Sequence, residues 1–298
     1  MGNYTKLQKN EAKTAWLFIL PLIIGVAIFS YGALFYSFGI SLTRWELLTP
    51  PEFVGFKNYL NLFSDKNLRQ SFVNTLFFVV TMVPLGTLFA LFTAILLNRE
   101  IKGKSFFRSA FYLPAITSTI AVSMVWLWIL NPGLGVINTI LRTIGIADPP
   151  RWLESVVWAK PALLIIRLWQ VTGYYMLMYL AGLQNISNEL YEAAEIDGAS
   201  SFQKIKFITI PLLSNTTFLV TTLLTIESFN IFESIYVITL GGPGGSTNTL
   251  MYYIYTRAFQ SAPPRMGYAS AIAWMLFLLL MIITITQYAI NKKNEQIS

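Results

Sequence analysis

The chain has 298 residues, of which 55% are hydrophobic and 12% charged, about half the charged share of a water-soluble domain, so its solvent is lipid. Its net charge of +7 sits in scattered clusters between apolar runs, a placement that fits membrane topology rather than nucleic-acid binding. With no Cys and no His, the sequence excludes disulfides, thiol chemistry, a Ser-His-Asp hydrolase and a His-ligated zinc enzyme.

A hydrocarbon core about 30 Å thick needs roughly 20 apolar residues per helix. Six segments qualify, near 15–41, 72–97, 109–130, 161–183, 211–238 and 268–290, which predicts an all-α integral membrane protein. The first is too long for a signal-peptide core and has no small-x-small cleavage site behind it, so it reads as a retained span. The loop between the first two spans, "TPPEFVGFKNYLNLFSD", is rich in turn and interfacial residues. So are "NPGLGVINTILRTIGIADPP" and "LGGPGGSTNTL" further on. These loops form either a docking floor or plain connectors. Between the second and third spans, "GKS" at Gly103–Ser105 imitates a phosphate-binding loop. The earlier glycine such a loop needs is replaced by Asn98, and no strand precedes it.

Lys and Arg set the orientation. Both termini and the second-to-third and fourth-to-fifth loops carry eleven cations in roughly sixty residues. The opposite side carries nine in nearly ninety. Residues 1–14 and 291–298 are therefore predicted to be cytoplasmic tails around a six-span domain at 15–290.

Three ionisable residues fall within spans: Arg167 in the fourth, Glu227 and Glu233 in the fifth. Such residues are costly in lipid and need partners or water. The two glutamates are six residues apart and do not share a helix face. Gln170, Thr172, Tyr174 and Tyr175 accompany Arg167; Ser228, Phe229 and Asn230 accompany the glutamates. As a cluster these groups suit an aqueous path for a polyol. Amides and carboxylates bond hydroxyls, and aromatic faces pack on sugar C–H surfaces. Taken singly, each also fits a helix-to-helix hydrogen bond.

Between the fourth and fifth spans stands "SNELYEAAEIDGASSFQKIKFITIP". Ser187 predicts an N-cap for a short helix over 188–196, with Glu189 in its first turn. Leu190, Ala193 and Ala194 share a small apolar face. Asp197-Gly198 breaks the helix, and Ser200 or Ser201 caps a second one with an apolar stripe of Phe202, Ile205 and Ile208. The segment reads either as an amphipathic helix resting on headgroups or as a rigid elbow offered to a cytoplasmic partner.

This segment resembles the signature loop of binding-protein-dependent ABC importer permeases: Glu-Ala-Ala, three residues, Gly, nine residues, Ile, any residue, Leu, Pro. Here it runs Glu192, Ala193, Ala194, Gly198, Ile208, Ile210, Pro211, with only the Leu changed, to Ile210. "FVGFKNYLNLFSD", "NTLFFVV", "YLPAITS", "NPGLGVIN", "FNIFESIYVITLGGPGGSTNTLMYYIYTRAF" and "MGYASAIAW" extend the likeness across nearly the whole chain. They are similar to carbohydrate permeases of the maltose and glycerol-phosphate type, most of all the first of the two unlike permeases in such systems. The large extra outer domain and additional spans of the maltose permeases have no counterpart here, so the resemblance implies the class and not maltose itself.

The resemblance implies a type I ABC importer permease fold, with six transmembrane helices and a cytoplasmic coupling helix in the loop 187–210. It makes Glu192, Ala193, Ala194, Asp197 and Gly198 the residues that dock an ATPase. It implies Phe229 and Asn230 as sugar contacts, with Gln170 and Tyr174 or Tyr175 as further ones; Glu227 joins the path from the polar cluster read above. It lends Gly241, Gly242 and Pro243 a role at the outer gate near a binding protein. The implied partners are a second homologous permease, two ATPases that hold ATP and Mg, an extracellular solute-binding lipoprotein and membrane lipid. This chain itself would need no cofactor or metal and would catalyse nothing. The implied place is a bacterial plasma membrane.

An ion-coupled secondary sugar transporter is the alternative, but the internal repeats or matched broken helices of that class are not seen. A membrane-embedded enzyme would need a carboxylate constellation, and Glu227 with Glu233 makes a weak one. The cargo stays open among a neutral oligosaccharide, a sialic or uronic acid and glycerol phosphate. Arg167 keeps the acidic options, and the glutamates weigh against them.

Overall fold

The computed structural model describes residues 6–295; residues 1–5 and 296–298, parts of the predicted cytoplasmic tails, lie outside the described residues. The chain divides into two compact units, one of residues up to 64 with 254–275, the other of residues 65–253 with those from 276 onward.

In the first unit, α1 (Lys6–Gly25) passes through a π-helical segment, Val26–Gly32, into α2 (Ala33–Ser41). The run Glu11–Ser41 is long and apolar enough to cross a membrane, and none of its most apolar stretch is buried. Trp16, Phe18 and Phe29 stand open, which lipid tolerates because its tails are as apolar as these side chains. Beyond Ser41, β1 (Thr43–Arg44) and β2 (Glu52–Phe53) pair antiparallel, and α3 (Lys57–Leu62) follows. Asn58 ties this outer segment down, its Nδ2 donating to the carbonyls of Ser41 at 2.8 Å and Thr43 at 2.9 Å. Trp274 donates its indole N–H to Ser37 Oγ at 3.1 Å and meets the Phe38 ring edge-on at 4.9 Å.

The second unit begins with α4 (Lys66–Asn98), capped by the Asp65 carboxylate, which accepts from the amides of Asn67 and Leu68. Its 33 residues make about 50 Å of helix, longer than the hydrocarbon core, so it starts well before the predicted position 72. There follow α5 (Lys104–Ile116), α6 (Thr119–Ile129), α7 (Val136–Thr143) and α8 (Ala159–Gln184), then α9 (Asn188–Ile196), α10 (Ser201–Lys204), a π-helical turn Ile205–Thr209, and α11 (Ile210–Leu212). The remainder is α12 (Ser214–Phe229), α13 (Glu233–Ile238), α14 (Leu250–Tyr255) and α15 (Met266–Glu295), whose first turns belong to the first unit. The core forms where α4, α8 and α12 meet. Phe78 and Met82, Leu163, Ile166, Met176 and Tyr179, and Val220 and Leu224 are all fully enclosed there.

Two predicted spans are not single straight helices. The third, predicted over 109–130, is a helix pair bent by 99° between α5 and α6. Pro114 inside α5 removes a backbone donor one turn before the break, and Thr117 and Ser118 are extended. Among the described residues five other runs are long and apolar enough to cross a membrane, and this pair makes a sixth when counted as one span. The fifth, predicted over 211–238, is interrupted at residues 230–232, between α12 and α13. Glu227 and Glu233 therefore sit on separate helices, and Glu233 opens α13 on an exposed surface. The false phosphate-binding loop is a plain turn, in which Lys104 reaches back to the Asn98 carbonyl at 3.2 Å.

Candidate functional site

The helical period of α8 sets Arg167, Gln170 and Tyr174 at intervals of three and four, on one face. The bend between α5 and α6 brings Thr119 to this face, and α12 brings Glu227. Arg167 donates from Nη1 to Gln170 Oε1 at 2.6 Å and from Nη2 to Glu227 Oε1 at 2.5 Å. Tyr175 donates its hydroxyl to Glu227 Oε2 at 2.7 Å, and Gln170 donates Nε2 to Thr119 Oγ1 at 3.1 Å. Every member of the chain from Thr119 to Tyr175 is thus linked to the next. Such a network meets the requirement that a buried charge be paired and hydrogen-bonded.

The network lines a cavity of about 160 Å³, walled also by Ala115, Val171 and Tyr174. That is room for roughly five waters and less than the usual 300 Å³ or more of a complete small-molecule pocket. The Tyr174 and Tyr175 rings stand edge-to-face at 5.2 Å. Gln170, Tyr174, Tyr175 and Glu227, all predicted from sequence, come together here. Phe229 and Asn230 do not line this cavity. Phe229 is 2% exposed, within the protein interior, and Asn230 caps the broken end of α12 on an exposed surface. Sequence reasoning missed Thr119 and the pairing of Arg167 with Glu227. The signal for Thr119 was the hydroxyl run just after Pro114; the pairing joins residues 60 apart in the chain.

The elbow forms much as its local chemistry dictates. Ser187 caps α9, its Oγ accepting from the Glu189 amide at 3.3 Å. The helix stops at Asp197, and Gly198 takes the left-handed conformation with φ +77°. Gly198 and Ala199 return their amides to the carbonyls of Glu195 and Ala194 at 3.0 and 2.8 Å. Ser200 and Gln203 form a capping box for α10. Lys204 Nζ holds Glu195 Oε1 at 2.5 Å, and the Tyr191 hydroxyl meets Thr209 Oγ1 at 3.0 Å. No residue of α9 is buried. Leu190 and Ala193 stand exposed on the predicted apolar face, beside the half-buried Ala194. The predicted stripe is split. Ile205 and Ile208 are half-buried, while Phe202 is exposed together with Phe207, because the π-helical turn Ile205–Thr209 shifts the helical register.

The outer loop carrying Gly241, Gly242 and Pro243 is held to the start of α4. Asn74 donates Nδ2 to the carbonyls of Gly245 at 2.8 Å and Asn248 at 2.9 Å. Thr75 Oγ1 accepts from the Leu250 amide at 2.9 Å, and Thr247 Oγ1 donates to the Gly242 carbonyl at 2.7 Å. Gly241 is buried, whereas Gly242 and Pro243 are half-buried. Asn74→Ala strips both carbonyls of their side-chain donor. It is expected to cost about 2 kcal/mol, read as a drop of a few degrees in the melting temperature of the detergent-purified protein. An unchanged melting temperature would show that the loop holds itself.

A bent helix pair among long apolar helices, an elbow outside them and a polar cavity within them define the architecture of a membrane permease. The fold matches that of a bacterial ABC transporter involved in the import of the acidic polysaccharide alginate, with a TM-score of 0.84 and 24% identity, over 97% of this chain and 99% of that one. Residues 82–296 match the family described as binding-protein-dependent transport system inner membrane component. The chain belongs to this family. It is 36% identical over 291 residues to the trehalose/maltose transport system permease protein MalF of Thermococcus litoralis, spanning 97% of each. It is 34% identical over 297 residues to the lactose transport system permease protein LacF of Rhizobium radiobacter, spanning 98% of each. It is 37% identical over 281 residues to the probable ABC transporter permease protein YesP of Bacillus subtilis, spanning 93% of this chain and 90% of that one.

Proposed function

We propose that this chain is one of two unlike permease subunits of an ATP-driven importer that carries a saccharide across the bacterial plasma membrane. Its cavity is one face of the sugar path. The observation that carries the reading is the cavity itself: a polar, aromatic-edged space of about 160 Å³ inside apolar helices, too small to enclose a sugar alone and so suited to completion by a second permease. The relatives that carry trehalose, maltose and lactose in their names support a saccharide cargo. In this reading residues 15–290 are the transmembrane domain and both termini are cytoplasmic. Two ATPases hold ATP and Mg, one of them seated on Glu192, Ala193, Ala194, Asp197 and Gly198. A solute-binding lipoprotein docks outside, near Gly241, Gly242 and Pro243. ATP drives the cycle only if it favours one orientation over the other, and the exposed elbow is the segment through which that preference is transmitted.

The test is reconstitution of the complete assembly in proteoliposomes. Uptake should require both internal ATP and the binding protein. Uptake driven by a proton or sodium gradient without ATP would refute the reading in favour of an ion-coupled carrier. Asn230→Leu, at the exposed break in the fifth span, is expected to reduce uptake while the subunits still co-purify. Normal uptake kinetics in that variant would remove Asn230 from the path.

A further inference from the structure

The ion pair in the cavity is asymmetric. The Arg167 side chain is 10% exposed and the Glu227 side chain 31%. Cargo therefore meets a carboxylate, with the guanidinium behind it. Arg167 spends one N–H of Nη1 on Gln170 and one of Nη2 on Glu227, so its charge is already paired with the Glu227 carboxylate. A carboxylate has about four acceptor sites. Two are taken, by Arg167 and by the Tyr175 hydroxyl, and the rest are free to accept from a ligand. Gln170 Oε1 already accepts from Arg167, and its Nε2 donates to Thr119. The cavity thus exposes a carboxylate with acceptor sites to spare, holds its cation already in an ion pair, and is flanked by the half-exposed ring of Tyr174.

We propose that Glu227 fixes the charge class of the cargo: by holding Arg167 neutralised and presenting its own carboxylate, it admits uncharged, hydroxyl-donating sugars and turns away carboxylated ones. This rests on the saccharide reading above and names its substrate class. Hydroxyls donate to Glu227, and sugar C–H surfaces pack against Tyr174. A uronic or sialic acid would instead bring like charge against Glu227, in a partly buried site where such repulsion is stronger than in bulk water.

The experiment uses the complete assembly in nanodiscs without the binding protein, so that only the permease path selects. The probes are neutral oligosaccharides (maltotriose, raffinose, cellotriose) and carboxylated ones (trigalacturonate, sialyllactose). Wild type should bind at least one neutral probe and bind the carboxylated ones about tenfold more weakly or worse. Glu227→Gln keeps the side chain's shape and frees the charge of Arg167. It should shift the acidic-to-neutral preference by about tenfold or more toward the acids. The double variant Arg167→Gln with Glu227→Gln should lose that gain while the subunits still co-purify, which separates charge selection from a packing defect. The proposal is overturned if Glu227→Gln leaves the preference unchanged, if the double variant keeps the acidic preference, or if wild type binds both classes alike. Binding of neither class by wild type overturns it together with the saccharide reading. Binding of the acids alone overturns it and leaves that reading standing.

Discussion

Gly198→Pro should cut ATP-driven uptake by about tenfold or more while the protein still inserts and assembles. Gly198 has φ +77°, and a proline ring fixes φ near −65°. The substitution also deletes the amide that returns to the Glu195 carbonyl at 3.0 Å, and it displaces the neighbouring Ala199 amide from the Ala194 carbonyl. The angle between α9 and α10 is set at this residue, so the elbow must change direction. No residue of α9 is buried, so the transmembrane core is untouched, and the loss should appear in transport and not in insertion. Gly198→Ala is the graded control. A Cβ there meets nothing within 4 Å, which leaves only the left-handed strain of about 1–2 kcal/mol and a partial loss of uptake. The measurement is uptake in proteoliposomes beside the yield of co-purified assembly. Wild-type uptake by the proline variant would show that the elbow transmits nothing, and a cross-linked assembly with α9 facing bare lipid would agree.

The elbow was legible in the sequence because its determinants are local. Ser187, Asp197-Gly198 and the cap at Ser200 or Ser201 each act within a turn of their own position, and the structure places a cap, a stop and a second cap, at Ser200, there. The apolar helices were legible by length and composition for the same reason. What failed to show was whatever depends on packing between helices. The pairing of Arg167 with Glu227 spans 60 residues, and neither residue's neighbours announce the other. The bend of 99° in the third span was not read from the sequence: Pro114 lies one turn before it, but a proline also sits inside α4 at Pro84, and that helix runs on as one span. The break at residues 230–232 had no glycine or proline to betray it. The burial of Phe229 is likewise a matter of packing between helices, which its place in the pattern does not fix.

Gly173→Ala is expected to be among the most damaging single substitutions in the transmembrane region. In isolation a Gly-to-Ala change inside a helix gains about 1 kcal/mol. Here a Cβ on Gly173 would lie 1.8 Å from the carbonyl oxygen of Phe111, 2.5 Å from its carbonyl carbon and 2.8 Å from Tyr112 Cα. All three are backbone atoms of α5, so no side chain can rotate out of the way, and α5 must move off α8. Small residues permit this kind of close backbone approach between membrane helices, and overpacking at such a contact costs about 1–3 kcal/mol or more, which outweighs the propensity gain. The displacement has a functional consequence as well. Moving α5 moves the bend that follows it and carries Thr119 away from Gln170, whose 3.1 Å bond is one end of the cavity network. The variant should therefore lose both thermal stability in detergent and, where it still assembles, most of its uptake. Gly173→Ser should fail in the same way, because the first added atom is the one that clashes. A Gly173→Ala protein with wild-type melting temperature and uptake would show that α5 and α8 are not in backbone contact, and the cavity built on that contact would have to be redrawn.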